Sequence, residues 1–338
     1  MNSIWTETVE LPHFEKLQEN IKTDVLVIGG GMAGILCAYM LEQAGVDYAL
    51  VEASKICSGI TQNTTGKITS QHGLIYHELL DRFGVEKTRM YLDANNRALE
   101  NYRSLCSNIE CDFEEKDAFV YAVKNVELCA KELDVLGKIG YSASFASSIP
   151  LPFDIAGAVK FKNQAQFHPL KFIAGIAPGL RIYENTFVKE IRNHTAVTSN
   201  GEIQAGKIIV ATHFPFLNRH GSYFLKMYQH RSYVIAFENA SKINGMYLDE
   251  AEKGMSFRNY KNLLLVGGGD HRTGKQGGNW AEIKNFTNIY YCGLEERGRW
   301  ATQDCMTLDN VPYIGQYSAN TPDLYVATGF NKWGMTSS

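Results

Sequence analysis

Asp24-Val-Leu-Val-Ile-Gly-Gly-Gly-Met-Ala-Gly34, followed after a stretch of helical period by Val46-Asp-Tyr-Ala-Leu-Val-Glu52, is the segment that decides the fold. Residues 25–28 are an unbroken apolar run stopped by glycine, as expected of a strand buried on both faces of a parallel sheet. Met32, Ile35, Leu36, Tyr39 and Met40 then recur at helical spacing, and Gly45 stands where a helix C-terminus needs a left-handed residue. Residues 46–51 make the second strand. The unit reads βαβ.

Within it Gly29, Gly31 and Gly34 fill a G-x-G-x-x-G pattern. Each spacing has a mechanical role: a tight turn, close backbone approach to a pyrophosphate, and close helix–strand packing. The helix start offers unpaired N–H groups to phosphate charge. Glu52 closes the second strand 23 residues after Gly29, where an acid accepts hydrogen bonds from the adenosine ribose. A bare glycine pattern also fits a packing turn. With strand, helix and acid in place, it points to an adenine dinucleotide.

At 338 residues the chain has room for two units with sizeable cores. Lys plus Arg is 33 and Asp plus Glu is 36, so the net charge of -3 argues against a nucleic-acid surface or a polybasic membrane patch. No apolar run approaches the roughly 18 residues of a membrane span. Glu7, Glu10, Glu15 and Glu19 stand where a signal peptide needs an apolar core, so the expected location is cytoplasmic. The seven cysteines are scattered without metal spacing, so reduced thiols are expected and no metal ligand is assigned.

Residues 1–20 read as a polar lead-in with Trp5, Leu11 and Phe14 tacked onto the body. Ser58-Gly-Ile-Thr-Gln-Asn-Thr-Thr-Gly-Lys-Ile-Thr-Ser-Gln-His-Gly73 is a long loop of hydroxyls, amides and glycines. It suits a bulky cofactor lying against it, and a structureless loop of that length in a compact domain is functional or disordered more often than ornamental. It also favours a flavin over a nicotinamide, whose enzymes pass to their next βα units after the ribose acid.

Residues 74–106 are expected to be one scaffold helix. Strands around 119–123 and 156–161 flank a helix at 126–139, and a further helix covers 170–177. Strands follow at 181–183, 188–192 and 207–211, with others at 233–237 and 263–266. Gly267-Gly-Gly-Asp-His-Arg-Thr-Gly274 is not a second nucleotide fingerprint; it reads as a glycine-rich turn facing a ligand, with His271 either an active-site donor or a satisfied structural histidine. Asp323-Leu-Tyr-Val-Ala-Thr328 is a strand, and Gly329-Phe-Asn-Lys-Trp-Gly-Met-Thr336 a turn of the kind that precedes a helix.

In order and kind these segments resemble the FAD-dependent oxidoreductases of the D-amino-acid-oxidase, glycine oxidase-like superfamily. Thr64-Thr-Gly-Lys-Ile-Thr-Ser-Gln-His-Gly-Leu-Ile-Tyr76, Gln166-Phe-His-Pro-Leu170 and Trp300-Ala-Thr-Gln-Asp-Cys-Met-Thr-Leu-Asp-Asn-Val-Pro-Tyr-Ile-Gly315 are similar to the bacterial branch that often carries a C-terminal Rieske [2Fe-2S] domain. No Cys-x-His pair exists here, and only Ser337 and Ser338 follow the closing turn, where the family has a helix. The expectation is a truncated version that holds its flavin weakly.

The resemblance implies an α/β fold. A Rossmann-like FAD-binding domain (21–78, 160–215 and 305–338) is interleaved with an α+β substrate domain (79–159 and 216–304) containing an antiparallel sheet. It implies FAD as cofactor, and oxidation of the C–N bond of an amine or amino acid by hydride transfer to flavin N5. Oxygen or a redox partner is the electron acceptor. Carried by position, the cofactor contacts are Gly29, Gly31, Gly34, Glu52, Ser58, Thr61, Thr65, Lys67, Thr69, Val188, Thr212, Gly329, Phe330, Lys332, Trp333 and Gly334. Lys332 and Lys67 are the cations expected at the ring. Lys332, His271 and Asp304 are the catalytic candidates. Asp304 falls where amino-acid oxidases of the family place a carboxylate-binding arginine, before the Asp309 to Pro312 turn, which favours a cationic amine. Arg231, Arg258 and Arg299 are the alternative anchors for a substrate carboxylate. Two rival readings stay open: an NAD(P)-dependent dehydrogenase, and a non-catalytic FAD-binding fragment.

Overall fold

The computed structural model describes residues 3–218 and 220–338. Its strands are β1 Ile21–Ile28, β2 Tyr48–Val51, β3 Lys67–Ile68, β4 Glu114–Ala122, β5 Ser144–Ala146, β6 Gly157–Gln166, β7 Ile182–Tyr183, β8 Val188–Arg192 and β9 Thr195–Thr198. They continue as β10 Glu202–Val210, β11 Met227–Glu238, β12 Met246–Asp249, β13 Ser256–Tyr260, β14 Leu263–Arg272, β15 Glu295–Thr307, β16 Tyr313–Gln316 and β17 Leu324–Thr328. The α-helices are α1 Met32–Gln43, α2 Tyr76–Cys106, α3 Val126–Lys138, α4 Pro169–Ile176, α5 Asn279–Tyr290 and α6 Gly334–Ser337. None among the described residues is long and apolar enough to cross a membrane.

The chain divides into two compact units, one of Met1–Glu7, Thr65–His168 and His230–Gln303, the other of Thr8–Thr64, Pro169–Gln229 and Asp304–Ser338. The second unit is built on the βαβ segment. Its sheet runs β16-β17-β10-β1-β2-β7, and β1 pairs in parallel with both β10 and β2. That explains why residues 25–28 are apolar at every position: side chains on both faces of a central parallel strand meet core. α1 ends in a Schellman motif, in which Val46 N–H donates to Leu41 O (3.1 Å) and Gly45 N–H to Glu42 O (3.0 Å), with Gly45 at φ +65°.

The other unit carries the nine-stranded sheet, ordered β15-β11-β14-β13-β12-β4-β6-β3 with β5 on β6. Its neighbours are mostly antiparallel, and β12 with β4 is a parallel pair. Phe257, Leu264, Val266 and Ile283 form the centre of its core, each fully buried.

The unit boundaries differ from those expected from sequence, for reasons of pairing. β3 pairs with β6 (Lys67 opposite Gln166), so residues 65–78 lie with the antiparallel sheet and not with the βαβ unit. Residues 8–20 join the βαβ unit, where Leu17 N–H donates to Thr186 Oγ1 (3.1 Å) and Leu17 is buried. Trp5 instead packs edge-on against His168 and Tyr260 in the other unit. The expected single scaffold helix is broken: Gly84 takes φ +78° inside α2, which an L side chain adopts at a cost.

The glycine-rich segment 267–274 is not a turn. β14 runs through it to Arg272, and Gly267 and Gly268 stand opposite Val234 and Tyr233. Their lack of a side chain is explained by neighbours: a Cβ on Gly267 would lie 2.6 Å from Ser256 Oγ, and one on Gly268 2.3 Å from Met255 Sδ.

Candidate functional site

The loop between β1 and α1 brings the fingerprint glycines and Glu52 together. Gly29 has φ +112°, and a Cβ there would meet Ala211 O at 2.6 Å. At Gly34 a Cβ would lie 1.8 Å from Gly29 O, so helix and strand could not approach as they do. Gly31 is different. Its φ is -81° with extended ψ, ordinary for any L-residue, and a Cβ would meet only Thr61 Oγ1, at an ordinary 3.5 Å. Nothing in the protein's own backbone or packing requires glycine at position 31. The glycine there leaves the backbone open to close approach by a group outside the chain.

α1 begins beside this space with no cap from its own N-cap residue, Gly31, and no acidic residue in its first turn, which leaves the N-terminal field available to an anion. Thr61, on the 3-10 turn Thr61–Asn63, accepts from Met32 N–H at 3.0 Å and so pins the polar loop to the helix start. Glu52 is oriented by two backbone donors, Gly30 N–H to Oε2 at 2.7 Å and Ser54 N–H to Oε1 at 2.8 Å. Each oxygen keeps a further lone pair for a ribose hydroxyl. A dinucleotide fits these residues: space at Gly31, a helix start with no acidic residue in its first turn, and a held carboxylate.

The family described as DAO, FAD dependent oxidoreductase, matches residues 24–338. The chain belongs to the DAO family of FAD-dependent oxidoreductases. A Rieske 2Fe-2S iron-sulfur protein by name, YhfW of Bacillus subtilis (strain 168), is 35% identical over 355 residues, 99% of this chain and 70% of that protein. Gamma-glutamylputrescine oxidoreductase of Escherichia coli (strain K12) is 26% identical over 221 residues, 59% of this chain and 50% of that one. The fold is shared with glycine oxidase from Geobacillus kaustophilus, at TM-score 0.77 and 18% identity over 93% of this chain and 91% of that chain. This DAO-family chain is an FAD-dependent enzyme, and FAD is its cofactor.

The remaining candidates of the βαβ unit are dispersed along it. Ser58 is exposed and its hydroxyl donates to Lys55 O at 2.7 Å. Val188 is buried at the start of β8, and Thr212 Oγ1 donates to Phe214 O at 3.0 Å. In the closing turn Gly329 has φ +68°, Phe330 O accepts from Trp333 N–H, Gly334 opens α6, and Lys332 is exposed. The turn is anchored by Asn331, whose Oδ1 accepts from Thr307 N–H at 2.8 Å. Asn331, inside this glycine-bracketed turn, sits at φ +51°, a conformation Asn tolerates better than most residues. Asp304 is buried in β15.

In the other unit Lys67 Nζ donates to Tyr247 O at 3.2 Å, and its pKa is lowered to about 7, first by desolvation and then by the Arg258 charge. Arg258, an expected carboxylate anchor, is committed elsewhere. It is buried, with Nη1 donating to Thr65 O (2.7 Å) and Gly66 O (2.6 Å), and burial pulls its pKa down to about 9. It clamps the start of the loop that carries Lys67 and Thr69. Thr69 is buried and its hydroxyl accepts from Gln71 N–H at 2.9 Å. Arg299 pairs with Glu296 and lies over the Trp280 ring; Arg231 is exposed. His271 has both ring nitrogens engaged, Nδ1 donating to Arg272 O and Nε2 hydrogen-bonded with Tyr233 Oη, each at 3.0 Å. A carbonyl only accepts, so Nδ1 carries the proton. The ring is held in place by these two contacts.

Proposed function

We propose that this chain oxidises the C–N bond of a small amine or amino acid to an imine that water then hydrolyses. Bound FAD supplies the hydride acceptor, flavin N5. The observation that carries the reading is Gly31, a glycine that the protein itself does not need, at a helix start with no acidic first turn, close to the carboxylate of Glu52. The names of two similar proteins, gamma-glutamylputrescine oxidoreductase and glycine oxidase, support an amino compound as substrate.

The chain's residues divide the work as follows. Gly29, Gly31, Gly34 and Glu52, with Thr61 behind them, hold the dinucleotide. By position in the family pattern, the closing turn 329–334 with Lys332, Ser58, Val188 and Thr212 are the further cofactor candidates of the βαβ unit, and Thr65, Lys67 and Thr69 those of the other unit. Desolvation lowers the pKa of Lys67 to about 7, so negative charge developing beside it would favour its protonated form. Asp304, a buried carboxylate where an amino-acid oxidase has an arginine, favours a cationic amine over an α-amino acid. The electron acceptor is oxygen or a redox partner.

The test is anaerobic titration of the purified yellow protein with amines and amino acids, following the flavin absorbance. Bleaching by amines at lower concentration than by amino acids is expected. A flavin that no amino compound bleaches, while dithionite does, would sink the reading.

A further inference from the structure

Two desolvated cations lie in the unit of the antiparallel sheet, and neither touches a carboxylate among the described residues. Arg258 on β13 is 1% exposed; its Nη1 donates to Thr65 O and Gly66 O, and its Nε to Asn259 O at 3.2 Å. Its guanidinium carbon lies 5.7 Å from the centre of the Trp5 ring and 6.0 Å from that of Tyr260. Lys67, the residue after Gly66, donates from Nζ to Tyr247 O at 3.2 Å. Buried charges are ordinarily paired, because an unpaired one gives up its hydration without full return. Here carbonyl oxygens and ring faces are the only partners, and the second cation follows directly on the clamp that the first one makes.

The backbone directs this arrangement. One nitrogen of Arg258 reaches two successive carbonyls, and Gly66, which joins them to Lys67, has φ +68°, a conformation that a side chain adopts at a cost. Tyr247, which takes the Lys67 ammonium, is on β12, where it stands opposite Phe257 while its neighbour Met246 stands opposite Arg258. β13 therefore governs both ends: the loop from which Lys67 leaves and the strand to which its ammonium attaches. Opposite Lys67 on β6 is Gln166, which is uncharged. Glu114 on β4 and Tyr260 favour the Arg258 charge; the charge that bears on Lys67 is that of Arg258, which adds to desolvation in disfavouring the ammonium.

We propose that Arg258 is a positioning residue for Lys67, fixing by its clamp on Thr65 and Gly66 where the lysine leaves the loop and making its ammonium depend on negative charge brought by a bound ligand. The inference rests on the reading of Lys67 as a group that faces the flavin. It makes reduction of the flavin, which adds negative charge, an event that loads a proton from solvent onto Lys67.

The experiment is an NMR titration of lysine 13Cε signals in the full chain, with the Lys67 signal identified by its loss in Lys67→Met. In the apoprotein Lys67 should titrate near pH 7. Arg258→Gln removes the charge and keeps a donor for the carbonyls, and it should raise that midpoint by roughly one pH unit, which loss of packing alone would not do. In the FAD-loaded chain, reduction by dithionite should also raise the midpoint. A wild-type midpoint at the ordinary lysine value of 10.5 would overturn the proposal without any variant, as would a midpoint that Arg258→Gln leaves unmoved. A midpoint that responds to Arg258 but not to reduction would instead remove Lys67 from the flavin, and the reading beneath the proposal would fail with the coupling.

Discussion

The Glu52 carboxylate stands 2.7 Å from the Gly30 N–H, reaching back from the end of β2 to the turn that opens α1. Its other oxygen takes the Ser54 N–H at 2.8 Å. The acid proposed to meet the ribose thus also fixes the turn that opens α1. Glu52→Ala should remove both effects, leaving a buried Gly30 N–H without its acceptor at a cost of roughly 1.5–3 kcal/mol. Urea unfolding of the apoprotein and FAD titration should both report the loss, with Glu52→Gln intermediate because one acceptor oxygen remains. Unchanged FAD affinity in Glu52→Ala would remove Glu52 from the cofactor site.

Gly31→Ala and Gly34→Ala should separate cofactor from fold. At Gly31 the added methyl meets nothing closer than 3.5 Å, so apoprotein stability should hold or rise by about 0.4–1 kcal/mol while FAD affinity drops at least tenfold. At Gly34 the methyl would sit 1.8 Å from Gly29 O, and the fold itself should lose about 1–3 kcal/mol. A Gly31→Ala protein with full FAD affinity would contradict the dinucleotide reading.

Asn331 holds the closing turn by accepting from Thr307 N–H at 2.8 Å while its own backbone sits at φ +51°. Asn331→Gly keeps the backbone conformation and loses the bond; Asn331→Ala loses both. The expected costs are about 1–3 kcal/mol for the first and a further 1–2 kcal/mol for the second. Equal melting temperatures for the two variants would show that the left-handed conformation carries no strain.

His72 is buried, with Nε2 donating to Thr69 O at 2.7 Å and Nδ1 accepting from Tyr91 Oη at 2.6 Å. Burial pulls its pKa down from 6.5 to about 3. The unfolded chain therefore takes up a proton near pH 6.5 that the folded chain refuses until about pH 3. Stability from this group is fully present above pH 6.5 and is lost as pH falls from 6.5 to 3, at up to about 1.4 kcal/mol per pH unit. His72→Gln should flatten that part of a denaturation-versus-pH curve; a curve of unaltered slope would mean that the imidazole titrates normally.

On the proposed reading that the buried Asp304 carboxylate meets a substrate ammonium, Asp304→Asn should weaken that contact. Rates of flavin reduction by cationic amines should fall by more than tenfold, consistent with about 2–5 kcal/mol for losing one member of a buried charge pair. Equal rates for wild type and variant would place the substrate ammonium elsewhere.

The sequence by itself determined the βαβ unit, because its signals are local. An apolar run, a helical period, Gly45 as the residue after the helix and Glu52 at the strand end each reflect a backbone requirement within a few residues, and all agree with the β1–α1–β2 structure. Only the tertiary structure decided where the chain passes from one unit to the other, because a two-residue strand such as β3 is defined by its partner β6 and has no periodicity of its own. The same reason separates the glycines. Gly267 and Gly268 looked like a ligand-facing turn, but side chains from β13 and the residue before it fill their space. Gly31 looked like its neighbours, and its meaning appeared only when the space around it proved open. Arg258 reads in sequence as a free cation for substrate, yet the carbonyls of Thr65 and Gly66, almost two hundred residues earlier in the chain, take its donors. Contacts of that sequence separation leave no periodic trace, so packing alone decided them.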